Sequence, residues 1–197
     1  MEQLIAFLLG IPAIMAATTI HEFTRAAVST TLGDTLPKQQ KRLTLNPIRH
    51  FEPIGMIIML VCGFGWGQPV NTSAMYYKDR KKGVLLTAIM PNVANFILAF
   101  AAMFIARIFA GSYYISVFFM KVCYYSCCLV IYNLLPVAPM DCLKVLSVVM
   151  PANKYFRFMQ YEKIIQMIFL LLLFMGLGGF FGSIINAFYM LIGGIFF

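Results

Sequence analysis

Two short clusters hold the side chains that could do chemistry. The first reads Thr18-Thr19-Ile20-His21-Glu22-Phe23-Thr24-Arg25-Ala26 and lies within apolar sequence. Ionisable groups in such a setting are costly, so they tend to face other helices and act there. His21 could give an imidazole nitrogen to a metal, and Glu22 could take a proton from water. In a metalloprotease helix, a second His four residues on completes the pair that grips zinc, with the Glu as general base. Residue 25 is instead Arg, whose guanidinium stays charged and has no lone pair to offer. Taken alone, the segment reads equally as a helix end meeting lipid headgroups. The second cluster is Tyr132-Asn133-Leu134-Leu135-Pro136-Val137-Ala138-Pro139-Met140-Asp141-Cys142. Its Asp141 is either a third ligand-type carboxylate or a plain loop acid.

The elements that must position these clusters are membrane helices. Hydrophobic residues make up 61% of the 197, charged residues only 11%, and the mean hydropathy is +0.85. A soluble domain of this size would need far more charge on its surface. Spans need ~20 largely apolar residues, and 4–27, 84–110, 114–135 and 164–181 qualify. The first run continues into His21 and Glu22, which a cleaved leader would not carry, so it is expected to stay. The run 183–197 is short and broken by Gly; it crosses, tilts or lies against the bundle. Gly178 and Gly182 stand four apart, a spacing that lets helices approach closely. Five cysteines, an odd number mostly in apolar sequence, read as small packing residues and not as disulfides or a soft-metal site.

Charge placement sets the expected topology. The net charge is +8, yet twelve of the fifteen Lys and Arg fall in three connecting stretches, within 38–49, 78–82 and 144–163. This pattern points to a membrane surface and away from nucleic acid, because basic loops stay cytoplasmic. The segment 53–65 is apolar but too short to cross comfortably. If it dips in and returns, all three basic stretches share one side, and irregular backbone at that depth must line a cavity or be buried in protein. His21 with Glu22, and Asn133 with Asp141, then arrive at the same end of the bundle. The expectation is one all-α, polytopic membrane domain over 1–197, with about four to five transmembrane helices plus a re-entrant or interfacial segment.

With that context, five segments in collinear order resemble the site-2 protease family of intramembrane zinc metalloproteases, in its short prokaryotic form. His21–Ala26 is similar to the family's His-Glu-Phe-Ala-His-Ala except at Thr24 and Arg25, and Leu32-Gly33-Asp34 follows it. The stretch 42–55 resembles one that ends in Asp-Pro-Ile-Gly, and 64–71 resembles Phe-Gly-Trp-Ala-Lys-Pro-Val. Asn133–Pro136 with Pro139–Asp141 is similar to Asn-Leu-Leu-Pro…Pro-Leu-Asp-Gly. The resemblance spans about residues 10–175. It implies Zn2+ held by two His and an Asp, and hydrolysis of a peptide bond in a membrane-spanning protein substrate. Carried over, His21 and Asp141 are metal ligands, Glu22 is the catalytic base and Asn133 orients substrate or oxyanion. Trp66 and Asn95 shape the substrate site. The protein would be a multi-pass protein of the cytoplasmic membrane, in contact with lipid.

The departures matter as much. A catalytic zinc wants three protein ligands and a water, and with Arg25 at the second position only two remain. His50 matches a His that active relatives also carry, so it is read as part of its loop. Cys142 neighbours Asp141, and adjacent residues rarely aim at one metal. Arg25 is therefore expected to stand in for the metal's charge by pairing with Asp141 or Glu22, leaving a degenerate, impaired site. The family's Gly-Pro-x-x-Asn run appears as Pro91-Asn92-Val93-Ala94-Asn95, which keeps Asn95 but not the Gly-Pro pair, so close helix approach at that point is no longer implied. The alternatives are an active zinc protease with an altered ligand set, and a non-enzymatic helix-binding or transporter-like bundle with a polar relay.

Overall fold

The structure is a computed structural model and describes residues 2–197. It is helical, with no strand among the described residues. In chain order the elements are α1 (Glu2–Leu8), α2 (Gly10–Thr31), α3 (Leu36–Gln39), a 3-10 turn (Pro47–His50) and α4 (Pro53–Cys62). There follow a second 3-10 turn (Ala74–Tyr76), α5 (Arg80–Ile108), α6 (Tyr113–Tyr132), α7 (Cys142–Val149), α8 (Ala152–Met159), α9 (Glu162–Leu172), a π-helical turn (Leu173–Leu177) and α10 (Gly178–Phe196). Four stretches are long and apolar enough to span a membrane: Leu4–Thr31, Arg80–Ile108, Tyr113–Tyr132 and Glu162–Phe196.

The core forms where α2, α5 and α6 press small residues together. Between helices in lipid there is little hydrophobic drive, so close backbone approach and dispersion must hold them. On α5, Gly83, Thr87, Pro91, Asn95, Ala99 and Met103 recur every four residues and are all buried. Such a repeat keeps one helical face turned inward. Pro91 lacks an N–H inside this helix, a loss that neighbouring helices make tolerable in a membrane. The α5 helix is capped by Asp79, whose side chain accepts from Lys82 N at 3.1 Å. From α6, Cys123, Cys127 and Cys128 are fully buried and unbridged, in the packing role that their apolar setting implied.

The ends of the 53–65 excursion come together. The Gln68 N–H donates to the His50 carbonyl at 2.9 Å, so the excursion between them starts and ends at one level. Glu52 caps α4 by accepting from Gly55 N, and Met56 and Met59 are buried against the bundle. Gly55 and Gly65 make the return tight, since a Cβ on Gly55 would sit on the Trp66 carbonyl and one on Gly65 on the Gly55 carbonyl.

The C-terminal region differs from the sequence reading. The runs 164–181 and 183–197 belong to one element of 35 residues, kinked at the π-helical turn where Gly176 takes φ +134°. The α10 portion runs parallel to α5, with Phe188 on Phe96 and Phe196 on Phe100 and Phe104. Its end reaches Arg107, whose guanidinium lies 5.5 Å from the Phe197 ring. The 4-residue Gly spacing is not used for close packing: nothing lies within 4 Å of a Cβ built on Gly182, and at Gly178 only the chain's own Leu173 is near.

Candidate active site

Helix periodicity puts the first cluster on one face. His21, Glu22, Arg25, Ala26 and Ser29 are the buried residues of the last turns of α2, and positions three and four apart lie side by side on a helix. Arg25 thus sits directly above both Glu22 and His21. Its Nη1 donates to Glu22 Oε1 and Oε2, each at 2.8 Å.

The second cluster reaches this face through the loop after α6. Asn133 closes that loop: its Oδ1 accepts from Asp141 N at 3.1 Å, and its Nδ2 donates to Leu129 O at 2.9 Å. The Cys142 N–H adds a bond to the Asn133 carbonyl at 3.0 Å. Both polar atoms of the Asn133 side chain are engaged within the chain, so here it positions Asp141. Asp141, 1% exposed, accepts from Arg25 Nη2 at 2.6 Å through Oδ1 and meets His21 Nε2 at 3.0 Å through Oδ2. Residues 120 apart in sequence are in direct contact.

Behind His21 stands Asn95, wholly buried, with its amide nitrogen 3.2 Å from Nδ1. Despite the missing Gly, α5 comes close enough for this bond. With Nδ1 accepting from Asn95, the ring carries its proton on Nε2 and donates it to Asp141 Oδ2. Arg25 Nη2 packs 3.1 Å from that same Nε2. Glu22 takes a further bond at Oε2, from Val70 N at 2.8 Å, which draws in the segment after Trp66. Trp66 lines, with Thr18, His21, Glu22, Arg25 and Asn133, a cavity of about 10 Å³. That is about the space one water needs and far too little for a peptide bond.

Charge in the cluster is balanced. Arg25 and Lys144, the latter 3.5 Å from Asp141 Oδ1, face Glu22 and Asp141. Burial alone would raise the Asp141 carboxyl, but Arg25, the hydrogen bond from His21, and Lys144 outweigh it and hold it well below the usual carboxylate range. Burial, then the nearby Arg25, lowers Lys144 to about 8 against the pull of Asp141 and Glu22.

Zinc does not fit these residues as they stand. Three protein donors and an open position are needed, and among the described residues no group of three His, Cys, Asp or Glu could hold a metal ion. The donor pair His21 and Asp141 is hydrogen-bonded to itself, and a cationic guanidinium fills the space beside both. His50 is remote in role: it is fully buried, its Nε2 meets the Thr44 carbonyl at 2.8 Å, and burial lowers its pKa.

Sequence reasoning passed over three contributors. Lys144 was seen only as part of a basic stretch, and the Val70 N–H is a backbone group with no side-chain signature. Asp34 ties α2 to the following loops by accepting from Ser29 Oγ (2.8 Å), Leu36 N (2.9 Å) and Ser73 N (2.7 Å). The signal for Asp34 was its place after Gly33, which takes φ +105° to turn the chain off the helix.

Over 176 residues the chain is 32% identical to a protein of Bacillus subtilis (strain 168) described as "Putative zinc metalloprotease YwhC", an alignment covering 85% of this chain and 80% of the relative. No family model matches the chain, and neither does any solved structure.

Proposed function

The chain belongs to the zinc metalloprotease family represented by YwhC, and from that membership we propose that it is a site-2-protease-like protein of the cytoplasmic membrane whose hydrolytic centre is closed by Arg25. On this reading it is catalytically dead or severely impaired, and what it keeps is the capacity to engage a membrane-spanning protein helix. The single observation that carries the reading is the placement of one guanidinium. Arg25 spans Glu22 and Asp141 with bonds of 2.6 to 2.8 Å and rests 3.1 Å from His21 Nε2.

Each group that hydrolysis would use is committed elsewhere. Glu22, the family's base, has both oxygens bonded to Arg25 and one also to Val70 N. His21 and Asp141 are bonded to each other, and Asn133 holds the loop through its Oδ1 and one N–H of Nδ2. The arrangement preserves geometry while replacing a dication with a fixed side-chain cation, and it fits a bundle retained for binding.

The test is metal content. Protein purified in detergent, then analysed by atomic emission, is expected to hold clearly substoichiometric zinc, because a site left with two protein donors lacks the three that a catalytic zinc needs. About one zinc per chain, lost on His21→Ala or Asp141→Ala, would overturn the proposal and favour an active protease with an altered ligand set.

A further inference from the structure

One of the basic stretches forms a concave surface. Where α5 begins, beside α7 and α8, a groove of about 380 Å³ is lined by Arg80, Lys81, Val84, Ser147, Val148 and Met150. That volume falls in the range of ligand sites. Its two cations are exposed, and among the described residues neither has a carboxylate within ion-pair distance. Their neighbours do: Lys82 pairs with Asp79 at 3.7 Å, and Lys144 with Asp141 at 3.5 Å. The groove therefore keeps a net positive rim over an apolar floor of Val84, Val148 and Met150.

The adjoining α8 marks the level of the groove. None of its residues is buried, Phe156 is 72% exposed, and Lys154 and Arg157 share the helix with Tyr155, Phe156, Phe158 and Met159. A short exposed helix of that make-up, joining α7 to the span-capable α9, has the character of one that lies in the plane of a membrane interface. A cationic rim above an apolar floor at that level matches a molecule with an anionic head and an apolar tail.

We propose that this groove binds one anionic phospholipid, its phosphate against Arg80 and Lys81 and the start of its acyl chain along Val84, Val148 and Met150. A free phosphate could use only the two cations and would leave the apolar floor bare. Basic pockets between spanning helices bind anionic headgroups for the same reason. The bound lipid bridges α5, which carries Asn95, to α7, which begins next to Asp141. The proposal is independent of the state of the Arg25 cluster.

The experiment uses the full chain in detergent, titrated with phosphatidylglycerol, phosphatidylcholine or inorganic phosphate, and reads lipid adducts by native mass spectrometry and the thermal midpoint in parallel. The expected result is one phosphatidylglycerol per chain with a raised midpoint, and little response to the other two. Arg80→Ala with Lys81→Ala should weaken that adduct roughly 20- to 30-fold, at about fivefold per cation near a lipid surface. Lys38→Ala with Lys41→Ala removes the same charge from another loop and should change it less than about twofold on the same scale. Equal losses in both double variants would overturn the proposal, by reducing the effect to general surface charge. So would equal binding of phosphatidylcholine, or equal protection by inorganic phosphate, which would make the site one for a free anion.

Discussion

Replacing Arg25 with His separates the two roles that meet at this position. The substitution removes the guanidinium bonds to both Glu22 oxygens and to Asp141 Oδ1, leaving two buried carboxylates, both under 5% exposed, without their main counter-ion. Breaking a buried pair in this way costs about 3–5 kcal/mol. At ~2–4 °C per kcal/mol for a chain of this size on the soluble-domain scale, the metal-free variant should melt roughly 6–20 °C lower. The same change restores an imidazole four residues from His21, beside Asp141, and so completes a three-donor set. Zinc at ~1,000 times its dissociation constant would then return about 4 kcal/mol, nearly cancelling the loss. The assay is a thermal scan followed by the fluorescence of Trp66, the chain's one Trp, with chelator or with zinc, alongside metal content. The wild-type midpoint should not respond to zinc, and the variant midpoint should. A variant that melts like the wild type in chelator would refute the view of Arg25 as the bridge. A destabilised variant that zinc does not rescue would show that the donors no longer converge.

Two further outcomes follow from the same geometry. Because the Asp141 carboxyl is held below its ordinary range, its ionised form stabilises the fold fully above about pH 4 and less as pH falls toward the lowered value. Asp141→Asn should therefore melt below the wild type at pH 7, with the gap narrowing on acidification; a gap unchanged between pH 7 and pH 3 would contradict this. Gly55→Ala puts a methyl group on the Trp66 carbonyl, and overpacking of that kind costs about 1–3 kcal/mol. It should lower the midpoint and increase cysteine labelling at an introduced Trp66→Cys, whereas unchanged labelling would mean that the returning segment does not pack on α4.

Much of the site could be read before any coordinates. A guanidinium at residue 25 has no lone pair whatever surrounds it, so the loss of a ligand follows from the residue type alone. Helical spacing placed His21, Glu22 and Arg25 on one face. Composition fixed the solvent, since so little charge cannot cover a soluble surface.

Other features depended on packing that local sequence does not encode. Sequence offered Asp141 or Glu22 as the partner of Arg25; the fold brings both within reach, because a guanidinium fork can serve two carboxylates and the Asn133 loop delivers one of them. The Gly178–Gly182 spacing promised a close helix contact, yet α10 meets its neighbours through aromatic side chains instead. The joining of 164–181 and 183–197 across a kink likewise turns on where α5 and α6 leave room for a long helix. Residue chemistry and spacing thus determined what the polar groups could be, and tertiary packing decided which of them touch, because contacts between residues more than a hundred apart depend on how whole helices seat against one another.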